Sequence, residues 1–188
     1  MAGIVDQIDV VISSPLSRAL HTSELVFGDS IAKEKKIVHP LLTERVYLSS
    51  DVGKQREALQ NIYPNWNYDS LVRMLYSLTL THSLNHKLTY LWQPDNFDWW
   101  YSKQLDAADY HEWRPTPATY LCAGEPVDVF KPRMVALKAF LEAREEKCIA
   151  IVSHWGVIRS LTKLDPRNCE LNIISIDALQ KEPFVDNY

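Results

Sequence analysis

Two short stretches carry the residue types that handle charged ligands. Ser13-Ser14-Pro15-Leu16-Ser17-Arg18 follows the apolar run Ile8-Asp9-Val10-Val11-Ile12, and Ser153-His154-Trp155-Gly156 follows Cys148-Ile149-Ala150-Ile151-Val152. In both places a β-branched run, the mark of a buried strand, passes through a turn into a helical pattern. A helix that starts at the carboxyl end of a strand offers free N–H groups and a positive dipole end, which suit a phosphate. Open α/β sheets bind their ligands along that edge. Arg18 lies one turn into its helix, where a guanidinium can fork onto phosphate oxygens. Alone, a helical arginine is usually solvated and a histidine after a strand is usually a satisfied loop residue. Together, at the same kind of position in one chain, Arg18 and His154 are harder to dismiss.

The elements that must position these residues follow from pattern. Ser14 reads as a helix N-cap with Pro15 at the first helical position, and Gly28 as the stop. Ile37 and Val38 suggest a second strand. A loop then runs from Leu41-Leu42-Thr43-Glu44-Arg45 to Ser49-Ser50-Asp51-Val52-Gly53. A helix is expected over residues 54–62, ended by Pro64. Residues 90–126, rich in Trp, Tyr, Asp and Pro, have poor periodicity and read as loops and short helices. Phe130, Met134, Leu137 and Leu141 mark an amphipathic helix reaching about Ala143, with Pro132 in or near its first turn. Residues 148–152 read as a second buried strand and residues 171–176 as a last strand. Alternating strands and helices predict an α/β domain with a mostly parallel sheet.

Composition narrows the function classes. The chain has 188 residues, 46% hydrophobic and 23% charged, which fits one globular domain. A net charge of −4 with no polybasic tail argues against nucleic acid as a partner. The most apolar long stretch, residues 74–92, contains His82, Asn85, His86 and Lys87, so no membrane span is expected. No signal peptide is evident at the start. Cys122, Cys148 and Cys169 are too few and too scattered for a disulfide framework, and read as reduced thiols of a cytoplasmic protein. His82 and His86 have helical metal spacing but no third ligand nearby, so no metal and no cofactor is expected. Trp92, Trp99, Trp100 and Trp113 read first as packing residues, with a partial lid role over the site as the alternative. Ser13 and Ser14 lack a GxSxG elbow and read as capping residues rather than nucleophiles.

The stretch Val11-Ile12-Ser13-Ser14-Pro15-Leu16-Ser17-Arg18-Ala19-Leu20-His21-Thr22 resembles the second signature of the histidine phosphatase superfamily, the phosphoglycerate mutase-like proteins. Ile151-Val152-Ser153-His154-Trp155-Gly156-Val157-Ile158 is similar to that family's late signature. Leu42-Thr43-Glu44-Arg45 stands where the family places its acid/base glutamate. Gly124-Glu125-Pro126, with Arg133 in the next helix, resembles a further segment. The four stand in family order across most of residues 8–176; the first and last are specific and the middle two are weak alone. The resemblance implies a three-layer α/β/α sandwich and phosphoryl transfer from small phosphomonoesters through a phosphohistidine, without a metal. It makes Arg18 and His154 phosphate ligands and His154 and Glu44 catalytic, Glu44 protonating the leaving oxygen. Arg45 and Glu125 become candidate substrate-binding residues.

One departure from that pattern bears on activity. The family's first signature, an Arg-His-Gly that supplies the nucleophilic histidine, does not occur anywhere in the 188 residues. His21, His39, His82, His86 and His111 lack its strand-end context. The resemblance therefore implies a domain whose first strand and helix are missing, with apolar sheet edges left open to self-association. The chain as written is expected to be inactive. A pseudoenzyme that binds a phosphorylated ligand or a partner protein is the alternative of a different class, and a mutase-type isomerase is a third reading. Residues 72–93 interrupt the pattern and read either as a helical insertion or as a retained intron: Val and Gln codons can match intron ends, and the stretch is in frame.

Overall fold

A computed structural model of the protein describes residues 2–71, 125 and 127–185. The expectations for residues 72–93, the pair His82 and His86, His111, the four tryptophans at 92–113, Cys122, Gly124 and Pro126 lie outside the described residues.

The fold is mixed α/β. Three parallel strands form a small open sheet in the order β2-β1-β3, with β1 at Val10–Ser13, β2 at Lys36–Val38 and β3 at Ile149–Val152. Val11 pairs with Lys36 on one side and with Ala150 on the other. The central strand is buried along its whole length because both of its faces are covered. Val11 belongs to one apolar cluster, with Leu16, Leu20, Phe27, Leu59 and Trp66. Its neighbours Val10 and Ile12 belong to a second, with Leu41, Phe130, Met134 and Leu137. That split is the period-two alternation of a strand. Each such side chain contributes roughly 1.5–3 kcal/mol on full burial.

Five helices are described: α1 (Ala2–Val5), α2 (Ser17–Phe27), α3 (Arg56–Ile62), α4 (Val127–Glu142) and α5 (Trp155–Thr162). Helix α2 ends at Gly28, whose φ of 36° only glycine adopts freely. Helix α4 starts earlier than its apolar spacing suggests, so Pro132 stands in the second turn. The helix continues there because Pro132 and Asp128, whose carbonyl loses its amide partner, both face solvent.

Three expectations are corrected. Ser14 does not cap α2; Leu16 holds that position with extended backbone, and the Ser14 Oγ accepts from the Leu16 amide at 3.3 Å. Pro15 therefore stiffens the turn before the helix rather than opening it. Strand β3, expected buried, is half exposed, with Ile151 40% exposed. Residues 171–176 form no strand, because no neighbouring strand offers them a ladder. Among the described residues no helix is long and apolar enough to cross a membrane.

Candidate functional site

Strands β1 and β3 run parallel and in register, so Ser13 and Val152 end side by side. The chain leaves both strands in one direction, and this brings Ser14 and His154 together across 140 residues of sequence. The Ser14 amide donates to the Val152 carbonyl at 2.9 Å, which fixes the first turn against the second strand. His154 is the N-cap residue of α5 and is buried.

The His154 ring is held at both nitrogens. Arg18 Nε donates to Nδ1 at 3.2 Å, and Nε2 lies 2.7 Å from the Ser14 Oγ. Arg18 has only donors, so Nδ1 must be the unprotonated nitrogen and Nε2 must carry the hydrogen. Ser14 is therefore an acceptor toward His154, and no base draws a proton from its hydroxyl there. Burial, reinforced by the charges of Arg18 and Arg133, holds the His154 pKa down to about 3. The imidazole is neutral at neutral pH, and its one N–H is directed at the Ser14 hydroxyl.

Arg18 is anchored by a residue that sequence reasoning missed. Its Nη2 donates to Asp51 Oδ1 at 2.8 Å, and its Nη1 reaches the Ser50 carbonyl. The other Asp51 oxygen accepts from the amides of Tyr47 and Leu48 at 3.1 and 2.9 Å. Asp51 thus closes the loop over residues 47–51 and aims the guanidinium. An acid in a Ser-Ser-Asp turn 33 positions away leaves no signal of this pairing in the sequence.

Glu44 reaches the same edge from the loop after β2. Its Oε1 accepts from the Arg45 amide at 2.9 Å, and its Oε2 accepts from the Gly156 amide at 3.2 Å. The carboxylate therefore sits at the N-terminus of α5, where the helix dipole favours an anion. Burial is the largest influence on Glu44 and raises its pKa; the two backbone N–H groups oppose it. Gly156 is required by this approach. A Cβ on residue 156 would overlap Glu44 Oε1, well inside the 3.0 Å that real Cβ atoms respect.

The loop carrying Glu44 is braced from behind. Arg133 forks onto Glu125, with Nε to Oε1 at 3.0 Å and Nη2 to Oε2 at 2.6 Å. Its Nη1 donates to the carbonyls of Leu41 and Thr43 at 3.1 and 2.6 Å. Arg45 Nε donates to the Glu125 carbonyl at 2.8 Å, and its guanidinium lies 4.7 Å from the centre of the Tyr47 ring. The two candidate substrate-binding residues, Arg45 and Glu125, are both buried within this brace. Ser153 Oγ adds a bond to the Leu42 carbonyl at 2.9 Å.

The structure thus brings Arg18, His154 and Ser14 into direct contact, with Glu44 at the same helix terminus. Of the other described histidines, His21 is exposed on α2; His39, contrary to expectation, does follow a strand end, its amide donating to the Ser13 carbonyl at 2.9 Å, but its ring stacks on Phe140 with centres 4.2 Å apart and accepts from the Leu41 amide. Among the described residues no group of three or more His, Cys, Asp or Glu side chains could hold a metal ion. Compared with family models, with curated proteins and with solved structures, the chain finds no match.

Proposed function

We propose that the pocket where β1 and β3 end receives a phosphate monoester, and that its chemistry is of the histidine phosphatase kind. One observation carries the reading: a buried, neutral histidine bridged between an arginine and a serine at the ends of two adjacent parallel strands. The guanidinium of Arg18 supplies charge for the phosphoryl oxygens, and the Nε2–H of His154, held by the Ser14 hydroxyl in the free protein, turns to a phosphoryl oxygen when the ligand binds. Glu44, its pKa raised by burial, is suited to hold a proton for a leaving oxygen. The three-layer α/β/α arrangement belongs to the same proposal. It is supported by the two apolar clusters to which alternate β1 residues contribute.

A phosphohistidine route needs a histidine nitrogen to attack phosphorus while the ester oxygen leaves with a proton from Glu44. Water then attacks the phosphohistidine and releases inorganic phosphate. Among the described residues, His154 is engaged at both nitrogens, the His39 ring is turned onto Phe140 and His21 is exposed on α2. Because the sequence also holds no Arg-His-Gly, the chain is proposed to bind phosphomonoesters without turning them over. The ion pair of Arg18 with Asp51 favours this binding reading, since the guanidinium is stabilised in place before any ligand arrives.

Two assays on the purified chain test the proposal. With p-nitrophenyl phosphate, no turnover is expected; turnover abolished by His154→Ala contradicts the non-catalytic assignment. With phenylphosphonate, calorimetry is expected to show saturable binding that Arg18→Ala weakens at least tenfold. Binding indifferent to Arg18 contradicts the pocket itself.

A further inference from the structure

The two edges of the sheet are treated differently. Outside β2, Asn67 closes the ladder: the Val38 amide donates to the Asn67 carbonyl at 2.8 Å, and the Asn67 amide donates to the Lys36 carbonyl at 2.9 Å. Outside β3, no strand pairs among the described residues. Sequence makes this edge unusual. Ile149-Ala150-Ile151-Val152 is an interior-type run with no lysine, proline or bulge to guard it, and alternate backbone groups of an edge strand lack ladder partners.

The same chain carries an unpaired stretch of matching length and character. Leu171-Asn172-Ile173-Ile174 has no backbone hydrogen bond among the described residues. Leu171 is 64% exposed and Ile173 80% exposed. The stretch cannot be explained as a solvated loop, because it has no charge and is three-quarters large aliphatic. The chain beyond it is tied down against α5. The Gln180 amide donates to the Leu161 carbonyl at 2.7 Å, and the Phe184 amide to the Ser160 carbonyl at 2.9 Å. Leu179 is fixed in the core. Within one molecule, no backbone hydrogen bond joins the stretch to β3.

We propose that these two features find each other across a two-fold axis: residues 171–174 of one copy add as a strand to the free β3 edge of a second copy, and the reverse. Each copy holds one donor strand and one acceptor edge, so the contact is isologous and closes as a dimer. Both partners are uncharged, so no like-charge repulsion opposes the pairing. The exposed apolar residues of this region include Ile151, Trp155, Leu164, Leu171, Ile173 and Ile174. With about 200 Å² for each fully exposed side chain, they and their neighbours Ile176 and Phe184 offer on the order of 800 Å² per copy, the amount a standard stable interface buries on each side.

Sedimentation of the whole chain over roughly 1–100 μM, a span that brackets micromolar association, reads this directly. A concentration-dependent particle of twice the 21.7 kDa chain mass is expected. Ile173→Lys and Ile151→Lys should each weaken the dimer at least a hundredfold, whereas Leu25→Lys, at an exposed site on α2, should leave it intact. Amide exchange gives an independent reading on the unmodified protein: amides within 149–152 and 171–174 should gain protection as concentration rises. A monomer throughout the range overturns the proposal. So does a dimer that survives both lysine variants, a dimer equally broken by Leu25→Lys, an open polymer, or protection independent of concentration.

Discussion

Replacing Gly156 by alanine tests how closely Glu44 docks on α5. The new Cβ meets only the Glu44 carboxyl group: Oε1 in overlap, the carboxyl carbon at 3.3 Å and Oε2 at 3.7 Å. No backbone atom stands in the way, so the side chain can swing aside. Moving it forfeits the bonds from the Arg45 and Gly156 amides. Two hydrogen bonds to a charged group, at the low end of their range because water replaces them at the displaced side chain, contribute about 3 kcal/mol together, and alanine in a helix recovers at most about 1 kcal/mol over glycine. A net destabilisation of about 2 kcal/mol is expected, read as a lower urea midpoint with an unchanged slope. In the Glu44→Ala background the clash and both bonds are already gone. There, Gly156→Ala should be neutral or stabilising by up to about 1 kcal/mol. The coupling between the sites is then about 2–3 kcal/mol, the size seen for residues in direct contact. Equal effects of Gly156→Ala in the two backgrounds refute the reasoning.

Acid should unfold the protein through its buried histidines. His154 and His39 are held down to about 3 and about 4, chiefly by burial. A depressed folded pKa gives stability that is full above the unfolded value of 6.5 and is lost as pH falls through the folded one. Between pH 6.5 and 4 the unfolding free energy should fall by up to roughly 2.7 kcal/mol per pH unit for two such groups, partly offset by Glu44, whose raised pKa has the opposite sign. His39→Gln should reduce that slope by about half, and an unchanged pH profile in chemical denaturation contradicts it. Arg133→Ala should destabilise by about 3–5 kcal/mol because it strands the buried Glu125 carboxylate, while Arg133→Met with Glu125→Leu should cost much less. Equal losses in the two variants would show that the ion pair is not the cause. Asp51→Asn removes the ion pair that aims Arg18 and should weaken phenylphosphonate binding roughly fivefold, about 1 kcal/mol for a partly exposed pair; tighter binding would mean that the negative charge of Asp51 outweighs its aiming of Arg18.

The parts of this molecule legible in the sequence are those set by local pattern. Val10-Val11-Ile12 is β-branched and wholly apolar because both faces of β1 are covered, and the strand-turn-helix unit at Ser14 follows from it; the unit at His154 follows from the apolar run Ile149-Ala150-Ile151-Val152. Glycine at 28 marks a helix end because only its backbone turns that way at low cost. Apart from Arg18 and His154, which the resemblance put on one phosphate, what escaped was the pairing between distant segments. Asp51 and Arg18 meet only because the loop after β2 folds back over α2. Glu125 and Arg133 share a motif, yet the sequence gives no sign that the carboxylate faces inward to brace Leu41 and Thr43 rather than outward to a ligand. Residues 171–176 have strand composition without a strand, since a ladder needs a neighbour and composition does not supply one.

The proposed phosphate site is tested most directly on the His154 ring itself. Long-range ¹⁵N–¹H correlation spectra at neutral pH should show His154 as the neutral Nε2–H form. Adding inorganic phosphate should shift both ring nitrogens along a saturable curve in the unmodified protein and leave them unmoved in Arg18→Ala. A ring that is protonated, that carries its hydrogen on Nδ1, or that ignores phosphate would contradict the account.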